Sequence, residues 1–158
     1  MLRTLLATSL MLATCIATAE DAPVTGAPGS TCGFITDQRG AVPESEDIFS
    51  VVITRIDGDS TPLGPRNRHT VQPGTRTLTV DERIDRNRLP GSAVAQIQKM
   101  RKLEMARAYK TFDVQVEPGM SYAIGARVRR DRLDAESIRN NEHWEPVVWD
   151  VRPERCPS

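Results

Sequence analysis

The sequence has no charge excess of either sign, because its 21 lysines and arginines match its 21 aspartates and glutamates. Nucleic-acid binders rely on a basic surplus to neutralise phosphates, so this balance disfavours nucleic acid as a partner. Long apolar runs are scarce as well. After the N-terminal stretch, no run approaches the roughly 20 residues that a membrane helix needs. We therefore expect no integral membrane span beyond that stretch.

Metal-ligating side chains are also few. The two histidines, His69 and His143, lie in different segments, and no cysteine stands in a Cys-x-x-Cys pair. Asp57-x-Asp59 begins like a calcium loop but lacks the later oxygen ligands of that motif. The sequence therefore predicts neither a metal site nor a cofactor.

The first nineteen residues have the three parts of a secretory signal peptide. A short basic start is followed by an apolar run, Leu5–Ile16, and by the small-residue site Ala17–Ala19. We expect cleavage after Ala19 and a periplasmic or secreted protein of one domain.

A lipoprotein is the alternative interpretation of the same segment. Leu12–Cys15 resembles a lipobox, in which Cys15 would be acylated and become the new N-terminus. We favour the soluble form, since Thr14 stands where a smaller residue is usual and the signal would be very short.

Two cysteines remain after removal of the signal, Cys32 and Cys156, one near each end of the mature chain. In an oxidising compartment the simplest expectation is that they form a structural disulfide. A reactive thiol or a metal ligand is the alternative.

The mature chain is punctuated by turn residues and predicts a mainly β protein. Residues 20–46 are rich in Pro, Gly, Ser and Thr and indicate a flexible N-terminal segment. Strands are expected at Ile48–Ile56, Thr75–Arg83, Phe112–Val116, Tyr122–Val128 and Trp144–Val151. A helical insertion over about 92–108, with Ser92 as its N-cap, interrupts them.

Alternation is clearest on either side of Pro118–Gly119. Phe112–Val116 and Tyr122–Val128 each place apolar residues on one face, so this segment predicts a β-hairpin. Together the strands indicate a small antiparallel β-sandwich over residues 47–158 with one inserted helix.

The turns carry a resemblance to a known type of module. Ile56-Asp57-Gly58, Pro73-Gly74-x-x-x-Leu78-x-Val80 and Pro118-Gly119-x-x-Tyr122 resemble the strand-and-turn pattern of PEGA-type β-sandwiches and related exported bacterial proteins of unknown function. The resemblance covers about residues 48–128. It implies an envelope-associated accessory module and brings no catalytic residues, and the basic helical insertion departs from a minimal PEGA module.

One motif suggests an enzyme. Gly58-Asp59-Ser60 follows an apolar strand, as the nucleophile does in GDS-type esterases. A serine nucleophile needs a base and an orienting acid, and His143 has Asn140 where the acid is expected. An Asp-Gly turn is the simpler interpretation of Ser60.

Two groups of residues are candidates for binding. Trp144 and Trp149 lie five residues apart on the last strand, on opposite faces, so at most one can serve as a platform for sugars. The helical insertion is basic and offers a surface for an anionic partner through Lys99, Arg101, Lys102 and Arg107. A solvated face balanced by nearby acids is the alternative.

These observations favour an exported, non-enzymatic accessory or binding module of the cell envelope or periplasm. The sequence leaves its partner unknown, with an envelope component and another exported protein as the candidates. The alternatives are a small serine hydrolase that uses Ser60 and an envelope-surface binder that uses the basic helical segment.

Overall fold

The computed structural model describes residues 31–37, 42–62 and 67–157, and the predicted signal with Cys15 lies outside these ranges. The described chain forms nine strands and two α-helices. The strands are β1 (Gly33–Thr36), β2 (Ile48–Phe49), β3 (Val51–Ile56), β4 (Asp59–Ser60), β5 (Arg68–Val71), β6 (Gly74–Glu82), β7 (Tyr109–Val116), β8 (Met120–Val128) and β9 (Trp144–Pro153). The helices are α1 (Gly91–Leu103), between β6 and β7, and α2 (Ala135–Arg139), between β8 and β9.

The strands form two sheets. In the first sheet, β8 pairs along its whole length with β9 on one side. On the other side of β8 lie β1 and β2, and β5 pairs with the far edge of β1. The second sheet has the order β4-β3-β6-β7 and is antiparallel throughout. The only parallel pair among the described strands joins β1 to β8. The predicted fold class, a small β-sandwich with an inserted helix, is confirmed.

The core lies between the sheets and continues under α1. Alternate residues of both sheets face it, as a period-two pattern dictates. The largest fully buried side chains that belong to it include Ile35, Phe49, Ile53, Leu78, Val80, Met120, Ile124, Ile138 and Trp144. Helix α1 contributes Ala93 and Ile97 to the same core.

The prediction of a β-hairpin at Pro118–Gly119 is wrong. β7 pairs with β6 in the second sheet, whereas β8 belongs to the first sheet, so the chain crosses from one sheet to the other at this turn. Gly119 adopts the left-handed conformation with φ 70°. Its N–H donates to the Cys32 carbonyl at 2.8 Å, and its carbonyl accepts from the Glu154 N–H at 2.8 Å. The turn is therefore held by both ends of the described chain.

The predicted strand Ile48–Ile56 is in fact two strands. β2 pairs with β8 and β3 pairs with β6, so the chain changes sheets at Ser50. The Asp57–Gly58 turn that ends β3 is confirmed, with both residues at positive φ. Asp57 accepts hydrogen bonds from the Thr77 N–H and from the Arg76 guanidinium, which fastens the turn to β6.

The first sheet begins earlier than residue 47. β1 lies within the segment predicted to be flexible and pairs with both β8 and β5. β5 and α2 also lie outside the strands and the helical insertion predicted from the sequence. A disulfide between Cys32 and Cys156, with Cα atoms 5.9 Å apart, ties the start of β1 to the end of the chain. That predicted pairing is confirmed.

The helical insertion starts at Gly91, after Pro90, and Ser92 is not its N-cap. Proline before the first turn suits a helix start, since its fixed φ and missing N–H cost nothing there. The helix ends at Leu103 because Glu104 has an extended backbone, and a short 3-10 helix, Met105–Ala108, follows. The predicted insertion is thus a helix and a 3-10 turn.

Candidate functional site

Arg101, near the end of α1, is bound to the second sheet. Its Nη1 lies 3.0 Å from Glu82 Oε1, and its Nη2 lies 3.5 Å from Asp81 Oδ1. Both carboxylates are buried at the end of β6. The sequence placed Arg101 among the binding cations, but its charge is compensated by these acids and its side chain is only 21 % exposed. Arg101 anchors the helix to the sheet.

Glu82 lies on the floor of a small cavity beneath α1. Its side chain is 7 % exposed, and its Oε2 accepts a hydrogen bond from the Ile84 N–H at 2.8 Å. Burial raises the pKa of Glu82 above its ordinary value, although Ile84 and Arg101 oppose the shift. The cavity, about 10 Å³ in volume, is also lined by the buried His143 and has room for about one water molecule.

A second, open groove lies on the solvent side of Arg101. It measures about 350 Å³ and is lined by Arg86, Gln98, Arg101, Lys102 and Met105. Lys99 neighbours Lys102 and Leu103 at the three- and four-residue spacing that brings helical side chains together. We call the exposed part of this region the helix-end surface and define it by Arg86, Lys99, Lys102, Leu103 and Met105.

Three cations of the helix-end surface lack a close ion-pair partner among the described residues, although Arg86 also interacts electrostatically with Glu82. Arg86, Lys99 and Lys102 are exposed, and none forms an ion pair within the described part of the chain. The predicted binding residues Lys99 and Lys102 therefore lie together on one surface. Arg107 belongs by its backbone to the 3-10 helix, but its side chain lies outside what the structure describes.

Two apolar side chains stand beside these cations. Leu103 is 73 % exposed and Met105 is 69 % exposed, more than any other described large hydrophobic residue. Neither is among the binding residues predicted from the sequence, because an apolar residue near a helix end is normally expected in the core. Leu103 is the last residue of α1 and Met105 is the first of the 3-10 helix, on either side of the extended Glu104.

The two tryptophans occupy different places. Trp144 is 1 % exposed and belongs to the core, with the Lys110 Nζ 4.9 Å from its ring centroid. Burial lowers the pKa of that lysine. Trp149 is partly buried and lies at a bulge in β9, where its ring packs over Gly125. The pair does not form one platform.

Ser60 and the histidines are apart in the structure. Ser60 is exposed on the short edge strand β4, opposite Arg55, and no histidine is hydrogen-bonded to it in the described ranges. His143 lines the cavity beneath α1. His69 lies on β5 beside Asp37, and burial lowers the pKa of its imidazole while the carboxylate opposes that shift.

Asp37 is a buried acid that sequence reasoning did not identify. Its Oδ2 accepts a hydrogen bond from the Ile53 N–H at 2.8 Å, which links the end of β1 to β3 across the two sheets. Burial raises its pKa. The geometry gives this carboxylate a structural role between the layers.

The described residues contain no group of three or more histidines, cysteines or acids positioned to hold a metal ion. None of their helices combines the length and apolar character needed to cross a membrane.

The chain matches no known family model, no curated protein and no solved structure. The resemblance to PEGA-type modules therefore stays a prediction from turn chemistry. Function has to be inferred from the surface of the molecule itself.

Proposed function

We propose that this protein is an exported, non-enzymatic binding module of the cell envelope or periplasm, and that its helix-end surface holds an anionic partner. The observation that carries the proposal is the group of exposed cations Arg86, Lys99 and Lys102, none of which forms an ion pair in the described ranges. Arg86 and Lys102 line the open groove. After removal of the predicted signal, 20 lysines and arginines face 21 acids, so the positive charge is local. A local patch of one sign attracts a partner of the opposite sign.

The anchoring of α1 supports this role. Arg101 holds the end of the helix on Asp81 and Glu82, so the neighbouring cations sit on a fixed support. A rigid site loses less side-chain and loop freedom on binding than a mobile one. The Cys32–Cys156 disulfide is consistent with an oxidising compartment.

Retention on a sulfonate cation-exchange matrix tests the surface. The oxidised exported protein should bind at neutral pH, and Lys99→Gln/Lys102→Gln should elute at clearly lower salt. The matched control is Arg55→Gln/Arg155→Gln, which removes two exposed charges elsewhere and should elute close to the wild type. Identical elution of both double variants, or no retention of the wild type, would contradict the proposal.

The hydrolase alternative has its own test. Ser60 is exposed but has no hydrogen-bonded histidine in the described chain, and serine nucleophiles need such a base. We expect no labelling by a fluorophosphonate probe. Labelling of the wild type that disappears in Ser60→Ala would replace the binding proposal with the hydrolase.

A further inference from the structure

We infer that the anionic partner of the helix-end surface is the headgroup layer of an anionic phospholipid membrane, into which Leu103 and Met105 insert. This inference rests on the proposed function, since it names the partner of the same surface. Its added evidence is the exposure of the two apolar side chains beside the cations.

The shape of the apolar group favours a membrane over a folded or peptide partner. A peptide groove holds its partner through recessed apolar pockets. Here Leu103 is 73 % exposed and Met105, which borders the open groove, is 69 % exposed, so neither is recessed in a closed pocket. Exposed apolar groups of this kind suit a soft phase that closes around them.

The arrangement of charge fits the same partner. Lys99 and Lys102 lie one turn apart on α1, and Leu103 follows Lys102 directly. Met105 lines the open groove together with Lys102 and Arg86. Long cationic side chains beside inserted apolar groups reach the headgroup level of a bilayer. Glu104, between the two apolar residues, is exposed but already takes part in an interaction within the chain.

The local surface is small, so the inferred contact is reversible. Each Lys or Arg near an anionic membrane contributes only modestly to binding, and two apolar side chains do not amount to an anchor. We therefore expect measurable, reversible binding to vesicles rich in phosphatidylglycerol, weaker binding to phosphatidylcholine, and a reduction by added salt.

Vesicle co-sedimentation of the exported, oxidised protein tests the inference. The intact mass of the protein is checked first, to show that residues 1–19 are removed and that no acyl chain is attached. Lys99→Gln/Lys102→Gln should lower the partition onto phosphatidylglycerol vesicles about 30-fold. Leu103→Ser/Met105→Ser should lower it roughly 10-fold while leaving retention on the cation exchanger unchanged. Val151→Ser, which removes an exposed apolar side chain on β9, is the matched control and should bind like the wild type.

The outcomes separate this inference from the proposed function. Vesicle binding by Leu103→Ser/Met105→Ser equal to that of the wild type overturns the insertion of these side chains. The wild type could instead bind polyglutamate through these lysines and fail to partition onto phosphatidylglycerol vesicles. That result overturns the membrane inference and leaves the proposed function standing. Failure on both the exchanger and the vesicles overturns both.

Discussion

Replacing Arg101 by methionine removes the guanidinium that faces Glu82 beneath α1. The Glu82 carboxylate would remain 7 % exposed, with the Ile84 N–H as its remaining hydrogen-bond donor among the described residues. Removing one partner of a buried ion pair typically costs about 3–5 kcal/mol, because the other charge stays desolvated without compensation. In a domain of this size, that corresponds to a fall in Tm of roughly 10–20 °C.

The same variant should show a specific pH dependence. Burial raises the folded-state pKa of Glu82 above its unfolded value, and loss of Arg101 raises it further. A group with a raised folded pKa contributes stability that is fully present below the unfolded pKa and is lost as pH rises through the folded pKa. Arg101→Met should therefore be closest to the wild type near pH 4.5 and furthest from it near pH 8.

Urea unfolding at both pH values gives the free energies of unfolding directly. Lys102→Met removes the adjacent exposed cation and should stay within about 0.5 kcal/mol of the wild type. Glu82→Gln/Arg101→Met removes both charges and should recover much of the loss. Equal stability of Arg101→Met and the wild type near pH 8 would refute the reasoning that this ion pair anchors α1.

Two further perturbations test the account of the fold by urea unfolding and Tm. Replacing Cys32 and Cys156 by serine removes a bond that spans a sequence separation of 124, and it should lower the free energy of unfolding by roughly 5 kcal/mol in the chain-entropy model. Unchanged stability in oxidising buffer would show that the bond does not stabilise the domain. Gly125→Ala should cost about 1–3 kcal/mol, since a Cβ there would meet the Ile48 Cγ2 at 2.7 Å and the Trp149 Cδ1 at 2.9 Å. The control Gly91→Ala, at a position with open space, should be neutral or slightly stabilising, and equal effects at the two glycines would contradict the packing described over β8.

The strands of this protein are readable in its sequence, but their pairing is not. β7 and β8 each alternate clearly, and a Pro-Gly turn joins them, so a hairpin is the natural expectation. Alternation fixes only which face of a strand is apolar. Two consecutive strands satisfy it equally well side by side in one sheet or in two different sheets, as these two are.

Short elements were missed for a related reason. β1 and β5 have four residues each and lie among turn-forming residues, so neither offers enough length for a periodic signal. Their order comes from pairing with β8 and with each other. The two-cysteine pattern was the available signal for β1, because a disulfide at Cys32 fixes the residue directly before that strand.

The candidate site was only partly visible in the sequence. The basic character of the helical insertion indicated a surface for an anionic partner, and Lys99 and Lys102 do lie exposed on one surface. Arg101 looks the same as its neighbours in the sequence, since its partners Asp81 and Glu82 come from a strand that precedes the helix. Such long-range ion pairs have no local sequence signature.

The most direct measurement of the central claim is a residue-resolved titration of the isotope-labelled, oxidised protein with short-chain phosphatidylglycerol below its micelle concentration. The account expects saturable amide chemical-shift changes concentrated at Arg86 and residues 98–105, reduced in Lys99→Gln/Lys102→Gln. Saturable changes concentrated elsewhere, for example on the exposed face of β6 and β7, or no saturable changes at all, would contradict it.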